Sequence, residues 1–288
     1  MPTPALAMVL LAAVLHTAWN LLVKSSSRKD AFTWWALLCG TLIFLPLLIR
    51  GGPIPRSVWP YALASALVEV LYYAVLGRAY DRGEFSLVYP IARGAAPALL
   101  TVWAFLFLGE RPGPQGIAGL AVLLAGLVLV GVSPSFGGDR ASWRGRFGSV
   151  GVAEAIAVAL CISVYSAIDA AAVRRVQPAA YTVLVLGLTG ILLAPVVLAR
   201  HGTAGILAEW RARRGAIVAV GGMTLLAYLL VLEAYARSRV AYAGAVREVS
   251  IVLAALAGWA VLHERLGAAR LIGSLLAFAG VLLIALAG

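Results

Sequence analysis

A chain of 288 residues that is 62% hydrophobic and 12% charged, with a mean hydropathy of +0.97, lies far from the roughly 25% charged residues of a soluble domain and reads as an integral membrane protein. Its formal charge of +11 does not indicate nucleic-acid binding, because Lys and Arg fall in small groups between apolar runs rather than in a stripe interleaved with aromatics. Cys39 and Cys161 both lie inside apolar runs, so neither a disulfide framework nor a Cys-type metal site is indicated.

No Lys or Arg precedes the first apolar run and no small-residue cleavage site follows it, so it is read as a retained span rather than a signal peptide, with no soluble domain expected at either end. A membrane-spanning helix needs about 20 mostly apolar residues. That length predicts ten spans, near 3–23, 31–49, 58–79, 84–108, 114–132, 148–172, 178–199, 214–236, 240–262 and 267–287. The longest gap, Ser133 to Phe147, holds Pro134, Gly137, Gly138, Asp139 and three arginines, and divides the chain into 1–135 and 148–288 with a linker at 136–147.

The two parts repeat one another. An offset of 155 pairs Leu71, Tyr73, Ala79, Tyr80 and Arg82 with Leu226, Tyr228, Ala234, Tyr235 and Arg237; an offset of 154 pairs Glu110, Arg111, Gly113, Gly119 and Gly126 with Glu264, Arg265, Gly267, Gly273 and Gly280. Agreement at Tyr, Arg, Glu and Gly in order is not the chance identity that Leu and Ala produce. Five spans per copy is an odd number, so the second copy enters the membrane from the opposite side, giving an inverted-topology repeat with a pseudo-twofold axis in the membrane plane.

Two five-span copies, each ending in an apolar residue, Gly or His, then Glu-Arg (Glu110-Arg111 and Glu264-Arg265), a short Gly-containing link and a Gly-rich last span, resemble the EamA-type transporters of the drug/metabolite transporter superfamily. The resemblance covers essentially the whole chain. It implies an all-α protein of ten transmembrane helices in two inverted five-helix repeats, a small-molecule substrate, a bacterial inner-membrane location, export, and a monomer or homodimer in the bilayer. Odd-numbered loops carry more Lys and Arg than even-numbered ones, which by the positive-inside rule places both termini outside. Relatives in the superfamily have cytoplasmic termini, and the expectation adopted here follows them.

Ionisable and aromatic residues inside spans mark the candidate path, because charge in the hydrocarbon region is tolerated chiefly at a protein interior or a watery cavity. Span 3 aligns Ser65, Glu69, Tyr72 and Tyr73 on one face. Span 4 carries Tyr89 and Arg93, with Pro90, Gly94 and Pro97 as a candidate hinge or a static kink. Counted from the turn near Arg82, Glu69 and Arg93 lie at similar depth, so a Glu69–Arg93 pair is expected, as a structural lock or as part of a solute or proton path. Span 1 places His16, Asn20 and Lys24 on one stripe beside Trp19, and His16 has no second ligand at a metal-site spacing. Span 6 places Glu154, Cys161, Tyr165 and Asp169 on one face, the two acids near its ends, where solvation or capping competes with substrate contact. In the second copy Thr224 stands where the first has Glu69, Tyr228 and Tyr235 keep the aromatic positions, and span 9 carries Gly244, Arg247 and Glu248. Arg247 and Glu248 point about 100° apart on a helix, so one of them is expected to pair with a neighbouring helix.

Glu110 and Glu264 read as helix-end residues that hold the link between the last two spans of each copy, and the glycines after them as packing positions. His263-Glu264 lacks the second histidine of a zincin helix and no nucleophile elbow is present, which argues against an intramembrane enzyme. No Walker-type loop occurs, so an ion gradient, with H+ as the candidate, or plain facilitation would drive transport. No metal or cofactor is expected. Mixed Arg, Glu and Tyr suit a zwitterion such as an amino acid, and a carboxylate such as Glu69 in a low-dielectric pocket can exchange a proton near neutral pH. The competing function is a membrane assembly or receptor subunit without transport.

Overall fold

In lipid, every backbone N–H and C=O must be satisfied within the chain, and apolar runs of about 20 residues meet that demand as helices. The computed structural model describes residues 1–24, 26–82, 85–132, 152–250, 252–253 and 268–287, and its regular elements are all helical. In chain order they are α1 (Thr3–Lys24), α2 (Lys29–Arg50), α3 (Trp59–Arg82, entered through a 3-10 turn at Arg56–Val58), α4 (Phe85–Leu108), α5 (Pro114–Val132), α6 (Val152–Ala172), α7 (Pro178–Arg237), α8 (Val240–Arg247) and α9 (Ala268–Leu286). A helix of 22 residues, such as α1 or α2, spans about 33 Å, close to a hydrocarbon core of about 30 Å.

The 60 residues of α7 are not one rod. Gly202 takes φ 62° and ψ 171°, a conformation that favours glycine, and Arg213 is also non-helical, so two apolar legs flank a short segment between them. They correspond to the spans predicted at 178–199 and 214–236. The span predicted at 240–262 begins with α8, after which Glu248, still at a helical φ −75°, ψ −1°, and Val249 tighten to hydrogen bonds with the Ala245 and Val246 carbonyl oxygens. Residues 254–262, the 136–147 linker, Glu264 and Arg265 lie outside the described residues, as do the side chains of Lys24, Tyr89 and Pro90. At the candidate hinge, α4 runs as a continuous helix past Pro90, Gly94 and Pro97.

The halves interleave in the way a twofold demands. α6 packs on α3 and α4, while its repeat counterpart α1 packs on α7 and α8; α2 lies along α7, and α5 crosses α9. By contrast, α3 and α4, consecutive in sequence, touch only sparsely among the described residues.

The α5–α9 crossing depends on its glycines. A Cβ at Gly126 would lie 2.4 Å from the backbone nitrogen of Ala277, and one at Gly280 would lie 2.5 Å from that of Leu123. The obstacle at each is backbone, which cannot swing aside, so Gly126→Leu is expected to lower stability by at least the roughly 1–3 kcal/mol typical of overpacking. The check is a melting temperature in detergent beside Gly113→Ala, where no atom lies within 4 Å of the added Cβ. Equal melting of the two variants would refute this account of the crossing.

Candidate functional site

The helices line a cavity of about 60 Å³. α1 contributes Ala12, His16 and Trp19, α3 contributes Glu69, Tyr72 and Tyr73, and α4 contributes Arg93. The opposite wall is Tyr165 of α6, Leu186 of the first leg of α7, Thr224, Ala227, Tyr228 and Val231 of its second leg, and Arg247 of α8. Eight of the residues picked from sequence thus line one space: His16, Trp19, Glu69, Tyr73, Arg93, Tyr165, Tyr228 and Arg247. The repeat counterparts Tyr73 and Tyr228, and likewise Glu69 and Thr224, face the same cavity, so its two halves differ by one carboxylate.

Two clusters of charge meet there. In the first, Arg93 Nε lies 3.2 Å from Glu248 Oε2, and Arg247 Nε donates to Glu248 Oε1 at 3.1 Å, so one carboxylate faces two guanidinium groups. The Arg247 guanidinium reaches the carboxylate of the residue next to it, and Glu248 is the one that also reaches a neighbouring helix. Arg93 and Glu248 are repeat counterparts at the offset of 155. Equivalent positions that touch straddle the pseudo-twofold axis, which places this ion pair beside that axis.

The Glu69–Arg93 pair expected from depth alone is therefore corrected. α4 packs on α6 and α8 rather than along α3, which carries Arg93 to Glu248. Glu69 belongs to the second cluster, where the Thr189 hydroxyl lies 2.6 Å from its Oε2 and 2.9 Å from the Val185 carbonyl oxygen. That hydroxyl can donate to an ionised Glu69, or accept from a protonated Glu69 while donating to Val185, so the site suits both protonation states.

Asp169 is not at a solvated helix end but fully buried. Tyr181 donates to its Oδ1 at 2.7 Å and the Tyr228 hydroxyl donates to its Oδ2. It does not line the cavity; Tyr228 does, and stands between Asp169 and the space that Glu69 faces. Among the described residues the two clusters hold three buried carboxylates, Glu69, Asp169 and Glu248, against the guanidinium groups of Arg93 and Arg247. With all five ionised the excess is one negative charge, which a proton or a substrate ammonium would neutralise.

Tyrosine rings join the clusters. Tyr72 lies 4.9 Å from Tyr73 and 6.1 Å from Tyr165, and Tyr165 lies 6.4 Å from Tyr228, centroid to centroid. Trp19 Nε1 donates to His16 Nδ1 at 3.3 Å, which occupies the acceptor nitrogen of a neutral imidazole. Asn20 donates to the His16 carbonyl oxygen at 2.7 Å, a bond along its own helix, and is not among the cavity residues. No group of three or more His, Cys, Asp and Glu able to hold a metal occurs among the described residues. Thr189 and Tyr181 are polar members of the site that sequence reasoning missed.

Residues 3–132 and 149–286 each match the EamA-like transporter family. No curated protein matches the sequence. A solved structure, described only as a crystal structure of a protein, is 21% identical and superimposes with a TM-score of 0.76 over 99% of this chain and 98% of its own, a likeness of fold alone.

Proposed function

We propose, from the premise that this chain belongs to the EamA-like transporter family, that it is a secondary-active carrier of a small zwitterionic or amphipathic metabolite such as an amino acid, working by alternating access and coupled to protons. The observation that carries this is the cavity itself: one carboxylate, two guanidinium groups and a run of tyrosines line a single space. Arg247 and Arg93 would receive the substrate carboxylate, and Glu69 its ammonium or a proton in turn. Asp169, behind Tyr228, would steady that exchange, while His16, Trp19, Tyr73 and Tyr165 shape the wall. Intramembrane charges held at such a junction of two repeats are what a solute path requires.

At about 60 Å³ the cavity is smaller than the ~150 Å³ void that accepts benzene in an engineered core. An amino acid enters only if the helices move apart, as alternating access supposes. The carrier would export across the bacterial inner membrane with both termini cytoplasmic, as a monomer or homodimer; what supports these is the family resemblance.

Counterflow in proteoliposomes against a panel of amino acids, amines and organic acids tests the proposal, with and without an imposed pH gradient. A zwitterion is expected to exchange and to accumulate when the gradient is present. Folded protein that moves no member of the panel would refute the substrate class.

A further inference from the structure

The Glu-Arg turn after α4 is a signature of both repeats, and the transport site makes no use of it. Gly109, at φ +67°, closes the end of α4, and Glu110 N–H returns to the Ala104 carbonyl oxygen at 3.1 Å. The Glu110 side chain is nearly buried and does not serve its own helix pair. Oε1 accepts the backbone N–H of Val240 at 2.9 Å, and Oε2 accepts that of Ala241 at 3.2 Å. These are the first two residues of α8, whose own N-cap position, Arg239, supplies no side-chain cap.

A carboxylate at a helix N-terminus satisfies orphan N–H groups and meets the positive end of the helix dipole. Here it comes from 130 residues away. Arg174, just past the end of α6, completes the junction: Nη2 donates to Glu110 Oε1 at 3.1 Å and Nη1 to the Leu108 carbonyl oxygen at 3.2 Å. The end of α4, the end of α6 and the start of α8 are thus tied at one carboxylate.

What hangs from this tie is the site. α8 is eight residues long, so about 12 Å of helix separates Glu110 from Arg247 and Glu248 in the cavity wall. Between them α8 presses on α4: a Cβ at Gly244 would come 2.4 Å from Leu100 Cδ2 and 3.5 Å from the Tyr235 hydroxyl. The Tyr235 end of α8's packing is fully inside the protein.

We propose that Glu110 is a positioning residue that latches α8 against α4 and α6 and thereby closes the cavity toward the membrane face bearing the Glu110 turn. Releasing the carboxylate frees the N-terminus of α8, lifts Gly244 from Leu100 and opens a way to Arg247 from that face. The proposal rests on the alternating-access reading, yet its test needs no substrate, so a failure of the transport proposal and a failure of the latch are separate results.

The test is thiol labelling in sealed vesicles of known orientation. With Cys39→Ala and Cys161→Ala as background, Thr224→Cys places a reporter in the cavity wall, and a membrane-impermeant maleimide is added from each face in turn. Glu110→Ala is expected to raise the labelling rate at least tenfold from the face bearing the Glu110 turn and to leave the rate from the other face no higher. Arg174→Gln keeps the cap on α8 and removes only the arm to α6 and α4; a rise of about threefold from the same face is expected. Should Glu110→Ala fail to fold, Arg174→Gln decides. An unchanged rate in a folded variant overturns the proposal, and so does an equal rise from both faces, which would mark a loosened bundle rather than a latch.

Discussion

Glu248→Ala is expected to destabilise the protein by about 3–5 kcal/mol, the usual consequence of removing one partner from a buried ion pair. The loss belongs at the upper end of that range, because Glu248 is fully buried and faces both Arg93 and Arg247, so its removal leaves two guanidinium groups without their common counter-charge. With a 1 kcal/mol change moving the melting temperature of a large domain by about 2–4 °C, the shift in detergent should be on the order of 10 °C. Adding Arg93→Met is expected to recover part of it, since one of the two cations then leaves as well. A double variant no more stable than Glu248→Ala alone would show that the pair across the pseudo-twofold axis is not what holds α4 to α8.

The second large effect is on transport. Glu69→Gln keeps the shape of the side chain and can still accept from Thr189, but it removes the one carboxylate that distinguishes the first repeat's wall of the cavity from the second's. Without it the buried clusters balance, two carboxylates against two guanidinium groups, and nothing calls for a proton or an ammonium group. Hydrogen bonds to a charged partner are worth about 1.5–3 kcal/mol, so accumulation driven by a pH gradient should fall about 10–100-fold at unchanged protein yield. Uptake with its dependence on the gradient intact in Glu69→Gln would remove Glu69 from the coupling role. Normal expression with lost transport separates function from folding, which is the opposite of the result expected at Glu248.

Much of this molecule is legible before any coordinates. Helix length and inverted topology follow from apolar runs and from a repeat carried by Tyr, Arg, Glu and Gly, and charges within those runs point to Glu69, Arg93 and Arg247 because lipid tolerates them nowhere else. Partnership is what eludes such a reading. Depth makes Glu69 and Arg93 natural partners only if consecutive helices pack side by side, and the interleaving of the repeats instead sets α3 and α4 each against α6, with little contact between them. Thr189 carries no mark either: a threonine in an apolar helix ordinarily returns its hydroxyl to the carbonyl four residues back, as this one does to Val185, and its second contact comes from 120 residues away. Glu110 was readable as a helix-end residue, but the helix it serves was not. The adjacent Arg247 and Glu248 were the nearest to a local signal, since side chains about 100° apart on a helix leave one of them to a neighbouring helix, and Glu248 is the one that reaches Arg93.

The interleaving also governs how the chain comes to exist. α3 and α4 find their packing partner in α6, and α2 finds its partner in α7, so the first five spans enter the bilayer with their polar faces uncovered. At about 5–20 residues per second the ribosome takes several seconds to tens of seconds to deliver the missing helices. During that interval Glu69 and Arg93 stand in lipid without Thr189 and Glu248. The nascent first half is therefore the stage at which an insertase or a membrane protease has most to recognise, and a stop codon in the 136–147 linker should yield a product that is degraded unless the second half is supplied as a separate polypeptide.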